Sequence, residues 1–356
     1  MNETNKTPPT LCIGLDIAWF GGQEKIKESQ YDCISWDILN GRSESGLEKE
    51  RIPLKTRDSQ ERRDPDAEDT FAVLKRLFDK RAKNGTRIIL AIDAPIQAAD
   101  RNPPLPERQS KREKRNEGEP KKVKWRACEH RLKEALEPIS EAKDVCDCWH
   151  PSPQPGAPLA PRVERLLTKL VGEGFVLWTP QERDSTKLII ECYPHEAIWA
   201  AKCQDGYLPN LSFACVNTYK RLAERRQAHR LLDEKRIYRL VSNVLGGFSR
   251  VSGDAKHWNQ LVQEAIDWFI DDDEPGWRDK NWQDNGLYRG GKLLDDPVDS
   301  VICLAVALSY ARGCAHVWRK DPQKAPTPES PEDDGHIIGP GCPQGDHWES
   351  ANRCVE

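Results

Sequence analysis

Apolar positions along the chain fall into short runs of two different periods. LCIGLDIA (11–18) is a continuous apolar run with one acid near its end and Gly21-Gly22 just beyond, the pattern of a buried strand. YDCISWDIL (31–39) and RIPLKT (51–56) are weaker strand candidates separated by a polar, glycine-containing stretch. The period then changes: Phe71, Leu74, Leu77 and Phe78 predict a helix over 70–84, with Asp69 placed to cap it and Gly85 to end it. RIILAIDAP (87–95) is a second buried strand ending in an acid. Strands followed by a helix and a further apolar strand predict an α/β layer with the 11–16 and 88–93 runs near the centre of the sheet. Asp16 and Asp93 then lie at the carboxyl ends of their strands, the edge where open α/β sheets bind ligands.

Apolar periodicity lapses from 101 to about 127, where Pro, Lys and Arg dominate, and HPSPQPGAPLAP (150–161) has too many prolines for a helix or strand interior. A helix over 162–172 and strands at 175–178 and 187–194 follow, the last with Glu191 near its end. The 217–245 stretch reads as helical, and Trp258, Leu261, Val262, Ala265, Ile266 and Phe269 mark an amphipathic helix stopped by the acids and proline of 271–275. DDPVDSVICLAVALSYARG (295–313) is an apolar helix with acids only at its start, where Asp295 or Asp296 ahead of Pro297 suits an N-cap. Together these elements predict one elaborated α/β domain over 11–318, a large helical or loop insertion near 98–162, and a mobile tail over 319–356 with a short strand near 336–340.

The chain has 356 residues and is 37% hydrophobic, enough for a substantial core. No run approaches the roughly 20 apolar residues of a membrane span, and the first ten residues lack the basic start and apolar stretch of a secretory signal. No membrane partner and a cytoplasmic location are expected, with the 12 cysteines reduced. The net charge of -4 argues by itself against indiscriminate nucleic-acid binding. That average hides segregation: 101–135 holds twelve Lys/Arg and six Asp/Glu, whereas 264–284 holds two and eight.

Asp16, Asp93, Asp296 and Asp299, with Glu191 as a fifth, sit at element ends that a sheet can bring together. Carboxylates crowded in a cleft raise one another's pKa unless a cation neutralises them. Magnesium or manganese is the expected cofactor, and two such ions can activate water and stabilise the leaving oxygen in phosphodiester hydrolysis.

The segments GLDIA (14–18), AIDAP (91–95), RACEHRL (126–132), ECYPHEA (191–197), DDPVDSVICLAVA (295–307) and DGHIIGP (334–340), in that order, resemble the domain-of-unknown-function family 429, predicted nucleases of ribonuclease H-like fold. The resemblance implies a ribonuclease H-like mixed central sheet flanked by helices. It also implies Asp16 on the first strand, Asp93 on the fourth, Glu191 on the fifth, and Asp296 with Asp299 on the final core helix. The catalytic set is then Asp16, Asp93, Glu191, Asp296 and Asp299, and the metal ligands Asp16, Asp93, Asp296 and Asp299. The implied activity is a metal-dependent nuclease or related phosphodiester-processing hydrolase.

Lys122, Lys124, Arg126, Arg131, Lys220, Arg221 and Arg225 are the basic residues expected to meet nucleic-acid phosphates. The alternative is a non-catalytic nucleic-acid-binding or interaction protein whose acids cap helices and turns. A weaker alternative, an actin-like phosphotransferase, starts from GLDIAWFGG but is disfavoured because Pro95, two residues after Asp93, has no N–H to offer a phosphate. Cys128 with His130, and Cys146 with Cys148 and His150, would supply zinc ligands only at an unfamiliar spacing; the tail set His336, Cys342, His347 and Cys354 is a second, weaker zinc candidate. Neither a nucleophile-elbow serine motif nor a Walker-type loop occurs, which excludes those classes.

Overall fold

The computed structural model describes residues 9–17, 31–39, 48–53, 67–82, 85–94, 96, 159–203, 245–246, 248, 255–270, 290–318, 336–341 and 349–350. Strands β1 (Thr10–Asp16), β2 (Tyr31–Leu39) and β3 (Glu48–Pro53) form an antiparallel meander. Helix α1 (Ala67–Arg81) follows, and β4 (Arg87–Asp93) then lies parallel to β1. Next come α2 (Leu159–Gly172), the two-residue β5 (Val176–Leu177), β6 (Lys187–Cys192) parallel to β4, and α3 (Pro194–Cys203). Helices α4 (Ala255–Ile270) and α5 (Gly290–Ala311) precede β7 (Ala315–Trp318), β8 (Ile337–Pro340) and β9 (Glu349–Ser350).

These strands make one mixed sheet in the order β3-β2-β1-β4-β6-β8-β7-β9. One side of β6 pairs with β4; the other is shared, with β5 along Leu188 and Ile189 and β8 at Glu191. The protein is therefore α/β, with parallel strands at the centre and antiparallel pairs towards both ends.

Side-chain alternation sorts the core into two layers, one on each face of the sheet. Leu11, Ile13 and Leu15 of β1, Ile88, Leu90 and Ile92 of β4 and Ile189 of β6 pack with Leu74 and Phe78 of α1 and Leu166 and Leu170 of α2. Cys12, Ile89, Ala91, Leu188, Ile190 and Cys192 face the other way, onto Val301, Leu304 and Leu308 of α5, Ile198 of α3 and Trp258 of α4. Strands buried on both faces account for the unbroken apolar runs of the sequence.

Helix α5 runs antiparallel to β1. The Cys12 thiol donates to the Ala307 carbonyl at 3.8 Å, whereas the turn from Ser300 to Leu304 lies over Gly14. A Cβ on Gly14 would stand 2.0 Å from the Ser300 oxygen and 2.3 Å from the Leu304 nitrogen, so only glycine admits the helix here. Ser35, opposite Gly14 on β2, donates its hydroxyl to the same Ser300 carbonyl at 2.7 Å. On the other face, the Thr70 hydroxyl donates to the buried Asp32 carboxylate at 2.6 Å and ties the start of α1 to β2.

Several boundaries differ from the sequence expectation. The third strand begins at Glu48, and α1 spans Ala67–Arg81 rather than 70–84. FVLW contributes only Val176 and Leu177 as a strand; Trp178 still donates its backbone N–H to the Ile189 carbonyl at 2.8 Å, while its indole donates to the Tyr310 hydroxyl at 2.8 Å. Helix α5 starts at Gly290, so Asp296 and Pro297 stand inside it and the N-cap reading of Asp295 or Asp296 is corrected. Proline there leaves the carbonyl four residues earlier without its helical N–H. The expected strand near 336–340 is β8. The 217–245 helix and most of the 98–162 insertion lie outside the described residues, as does most of the 319–356 tail. No helix among the described residues is long and apolar enough to cross a membrane.

Candidate functional site

Parallel pairing fixes a row across the carboxyl ends of three strands. Asp16 of β1 stands opposite Asp93 of β4, and Asp93 stands opposite Cys192 of β6. All three share the parity of the residues that face α5, since Cys12, Ala91 and Ile190 point into that layer. Asp16 is 5% exposed and Asp93 half-buried. Because α5 runs back along β1 with its 300–304 turn over Gly14, its preceding turn reaches the Asp16 end of the strand. That turn carries Asp299, which is 2% exposed.

Asp16, Asp93 and Asp299 thus belong to one face at one edge. Two acids come from neighbouring strands and the third from the helix that crosses them. Asp296 lies within the same helix, one turn earlier; its side chain is outside the described residues.

Glu191 is placed differently. It follows Ile189 in parity, so its side chain leaves the sheet on the α1–α2 face, opposite the Asp16–Asp93 row. It is 3% exposed, and its carboxylate accepts the Ile96 N–H at 2.9 Å. Glu191 therefore ties Ile96, three residues beyond Asp93, to β6.

Carboxylate oxygens are the donors that hard divalent cations such as magnesium and manganese take. Among the described residues, no three His, Cys, Asp or Glu side chains are grouped tightly enough to hold one ion. The chemistry of the donors suits such a cation. The described side chains do not by themselves close a ligand set around it.

Sequence reasoning did not single out three further features of the structure. Gly14 carries a signal, a glycine inside an otherwise apolar strand. Cys192 and Cys303 bring their sulfurs within 3.1 Å of each other behind the acids, from β6 and α5. Burial pushes the Cys192 thiol up, and the charges of Asp93, Glu191 and Glu196 push it further. Burial likewise holds the Cys303 thiol well above its usual range, reinforced by Cys192 and then by Asp93 and Asp16.

The third feature is a buried pair between β7 and α3. His316 of β7 and Glu196 of α3 are both fully buried, with Nε2 and Oε1 2.7 Å apart. The other ring nitrogen lies 3.1 Å from the Gly341 carbonyl.

Of the other expected site residues, Lys122, Lys124, Arg126, Arg131, Lys220, Arg221 and Arg225 lie outside the described residues. So do Cys128, His130, Cys146, Cys148 and His150. His336 is the one described member of the tail set, its ring edge-on to Trp178 at 4.9 Å. No protein-family model matches the chain, and neither does any curated protein or solved structure.

Proposed function

We propose that the protein is a metal-dependent nuclease, or a related phosphodiester-processing hydrolase, of ribonuclease H-like fold, as its resemblance to family 429 implies, acting on nucleic acid in the cytoplasm. The observation that carries this reading is the Asp16–Asp93 pair, side by side on one face at the strand ends, with α5 bringing Asp299 to the same edge. An antiparallel meander extended by parallel strands, with acids on the first and fourth strands and on the last long helix, supports the fold assignment. Glu191 falls on the sixth strand in chain order rather than the fifth, because the two-residue β5 intervenes.

Asp16, Asp93 and Asp299, with Asp296, would hold magnesium or manganese, which when bound supplies an activated water and charge stabilisation at the scissile phosphate. The protein's own part is to fix the carboxylates. Asp16 and Asp93 are held by a continuous parallel ladder, and Asp299 by a helix seated on Gly14. Near-total burial of Asp16 and Asp299 restricts their rotamers and strengthens their electrostatic effect on anything placed beside them. Glu191 holds the segment after Asp93 through Ile96, so it acts on geometry rather than on substrate. The basic residues of 122–131 and 220–225 would meet the phosphate backbone.

The test is a panel of single- and double-stranded DNA, RNA, hybrid and branched substrates with manganese, using wild type, Asp16→Asn and Asp299→Asn. Hydrolysis by wild type that falls at least about a hundredfold in both variants is expected, the scale of losing a principal electrostatic group. Activity that survives both substitutions would remove these carboxylates from the mechanism.

A further inference from the structure

Cys192 is the last residue of β6, and Cys303 lies within α5, four residues and about one turn after Asp299. The two are 111 residues apart in sequence, both are free thiols, both are fully enclosed, and their sulfurs are 3.1 Å apart. Cys192 continues the Asp16–Asp93 row, so this dithiol joins the sheet to the acid-bearing helix directly behind the carboxylates. Cys12 and Cys33 share the same core layer, yet Cys12 is engaged with a backbone carbonyl rather than with a second sulfur.

We propose that Cys192 and Cys303 form a redox-active dithiol that closes to a disulfide under a peroxide-class oxidant and so fastens α5 to the end of β6. One thiol reduces hydrogen peroxide, cleaving its O–O bond, and becomes a sulfenic acid with release of one water. The second sulfur attacks the sulfenic sulfur; the S–S bond forms as the S–OH bond breaks, and the hydroxyl leaves with the second thiol's proton as another water. The two sulfurs lose two electrons and the peroxide gains them. A dithiol reductant reverses the reaction by exchange once the chain is unfolded and the pair is exposed.

Distance and enclosure both favour this outcome over other fates of the sulfurs. A disulfide spans about 2.05 Å, so closure needs roughly 1 Å of approach. Enclosure excludes bulky disulfides and foreign thiols, whereas hydrogen peroxide is close to water in size. Burial and the neighbouring acids keep both thiols protonated, which makes the first oxidation slow. Once a sulfenic acid forms, the partner sulfur at 3.1 Å intercepts it before it advances to sulfinic acid. Drawing α5 towards β6 shifts the turn that carries Asp299 against Asp16 and Asp93. Redox control of hydrolysis is therefore expected, a consequence that rests on the nuclease reading although the disulfide itself does not.

The full-length protein is treated with hydrogen peroxide, then denatured, alkylated, digested and mapped by mass spectrometry, before and after addition of a dithiol reductant. A peptide pair linking Cys192 to Cys303 that disappears on reduction is the expected result. In Cys192→Ala and Cys303→Ala, the remaining cysteine is expected to recover as sulfinic or sulfonic acid. Recovery of both as alkylated thiols under conditions that oxidise the exposed Cys314 would overturn the proposal, as would linkage of either one to a different cysteine. Wild-type mapping decides the matter without any variant having to fold. In parallel, reduced protein inactive on every nucleic-acid substrate marks failure of the nuclease reading, whatever the mapping shows.

Discussion

Gly14 is the residue on which the site's geometry turns. Its neighbours above the sheet are main-chain atoms of α5, so a methyl group at this position cannot be accommodated by a change of rotamer. Either the helix lifts or the strand bends, and overpacking of this kind costs up to about 3 kcal/mol, occasionally more. Gly14→Ala is expected to lose that much in urea denaturation and to separate Asp299 from Asp16. Gly172, at the end of α2, has open space where a Cβ would stand, with nothing within 4 Å, so Gly172→Ala is the matched control and is expected to be neutral or slightly stabilising. Equal midpoints for Gly14→Ala and wild type would mean that α5 does not approach β1 this closely.

At the scale of elements, the far side of the sheet depends on a polar joint between α3, β7 and β8. The Gly341 carbonyl can only accept, so His316 Nδ1 donates to it, and the other ring nitrogen, Nε2, faces the Glu196 carboxylate. A Cβ on Gly339 of β8 would fall 2.3 Å from the His316 ring and 2.4 Å from the Glu196 carboxylate, so β8 is shaped around this pair. Removing one member leaves the other enclosed without it, which costs about 3–5 kcal/mol for a buried pair. Glu196→Ala and His316→Ala are each expected to show a loss of that size by chemical denaturation, while the double variant costs much less than their sum. The partly exposed Lys75–Glu173 pair provides the contrast, and Lys75→Ala should change the midpoint far less. If the buried pair behaves like the partly exposed one, the joint is not structural.

The same elements explain what the sequence reveals and what it conceals. β1, β4 and β6 are legible because strands enclosed on both faces must be continuously apolar, and α1 and α4 because their apolar residues recur at helical spacing. Asp16, Asp93 and Asp299 stand out as acids at the ends of such runs. That same continuity hides the face of Glu191: with Ile189 and Ile190 both apolar, nothing in the sequence says which direction an acid at 191 takes, and only the strand register decides it. α3 is missed because Pro194 reads as the end of a strand, although proline is well suited to the first position of a helix. The pairs Cys192–Cys303 and Glu196–His316 join residues more than a hundred positions apart, a relation that topology creates and local pattern does not carry.

For the whole molecule, the question is how a chain of net charge -4 tolerates acids gathered at one edge. Asp16 and Asp299 are almost fully enclosed and stand at the same strand end as Asp93, and an enclosed charge is costly unless it is compensated. A divalent cation bound there stabilises the fold by mass action, by about 2.7 kcal/mol at a hundred times its dissociation constant. Manganese is therefore expected to raise the melting temperature of wild type by several degrees, with magnesium acting at higher concentration. Asp16→Asn removes one ligand, so its melting temperature should rise with manganese by much less than that of wild type. A specific carboxylate site predicts this difference, whereas general screening of an acidic surface does not, because screening acts on both proteins alike. Equal upward shifts in wild type and Asp16→Asn would place the cation elsewhere on the surface and leave the acids at the strand ends as structural groups.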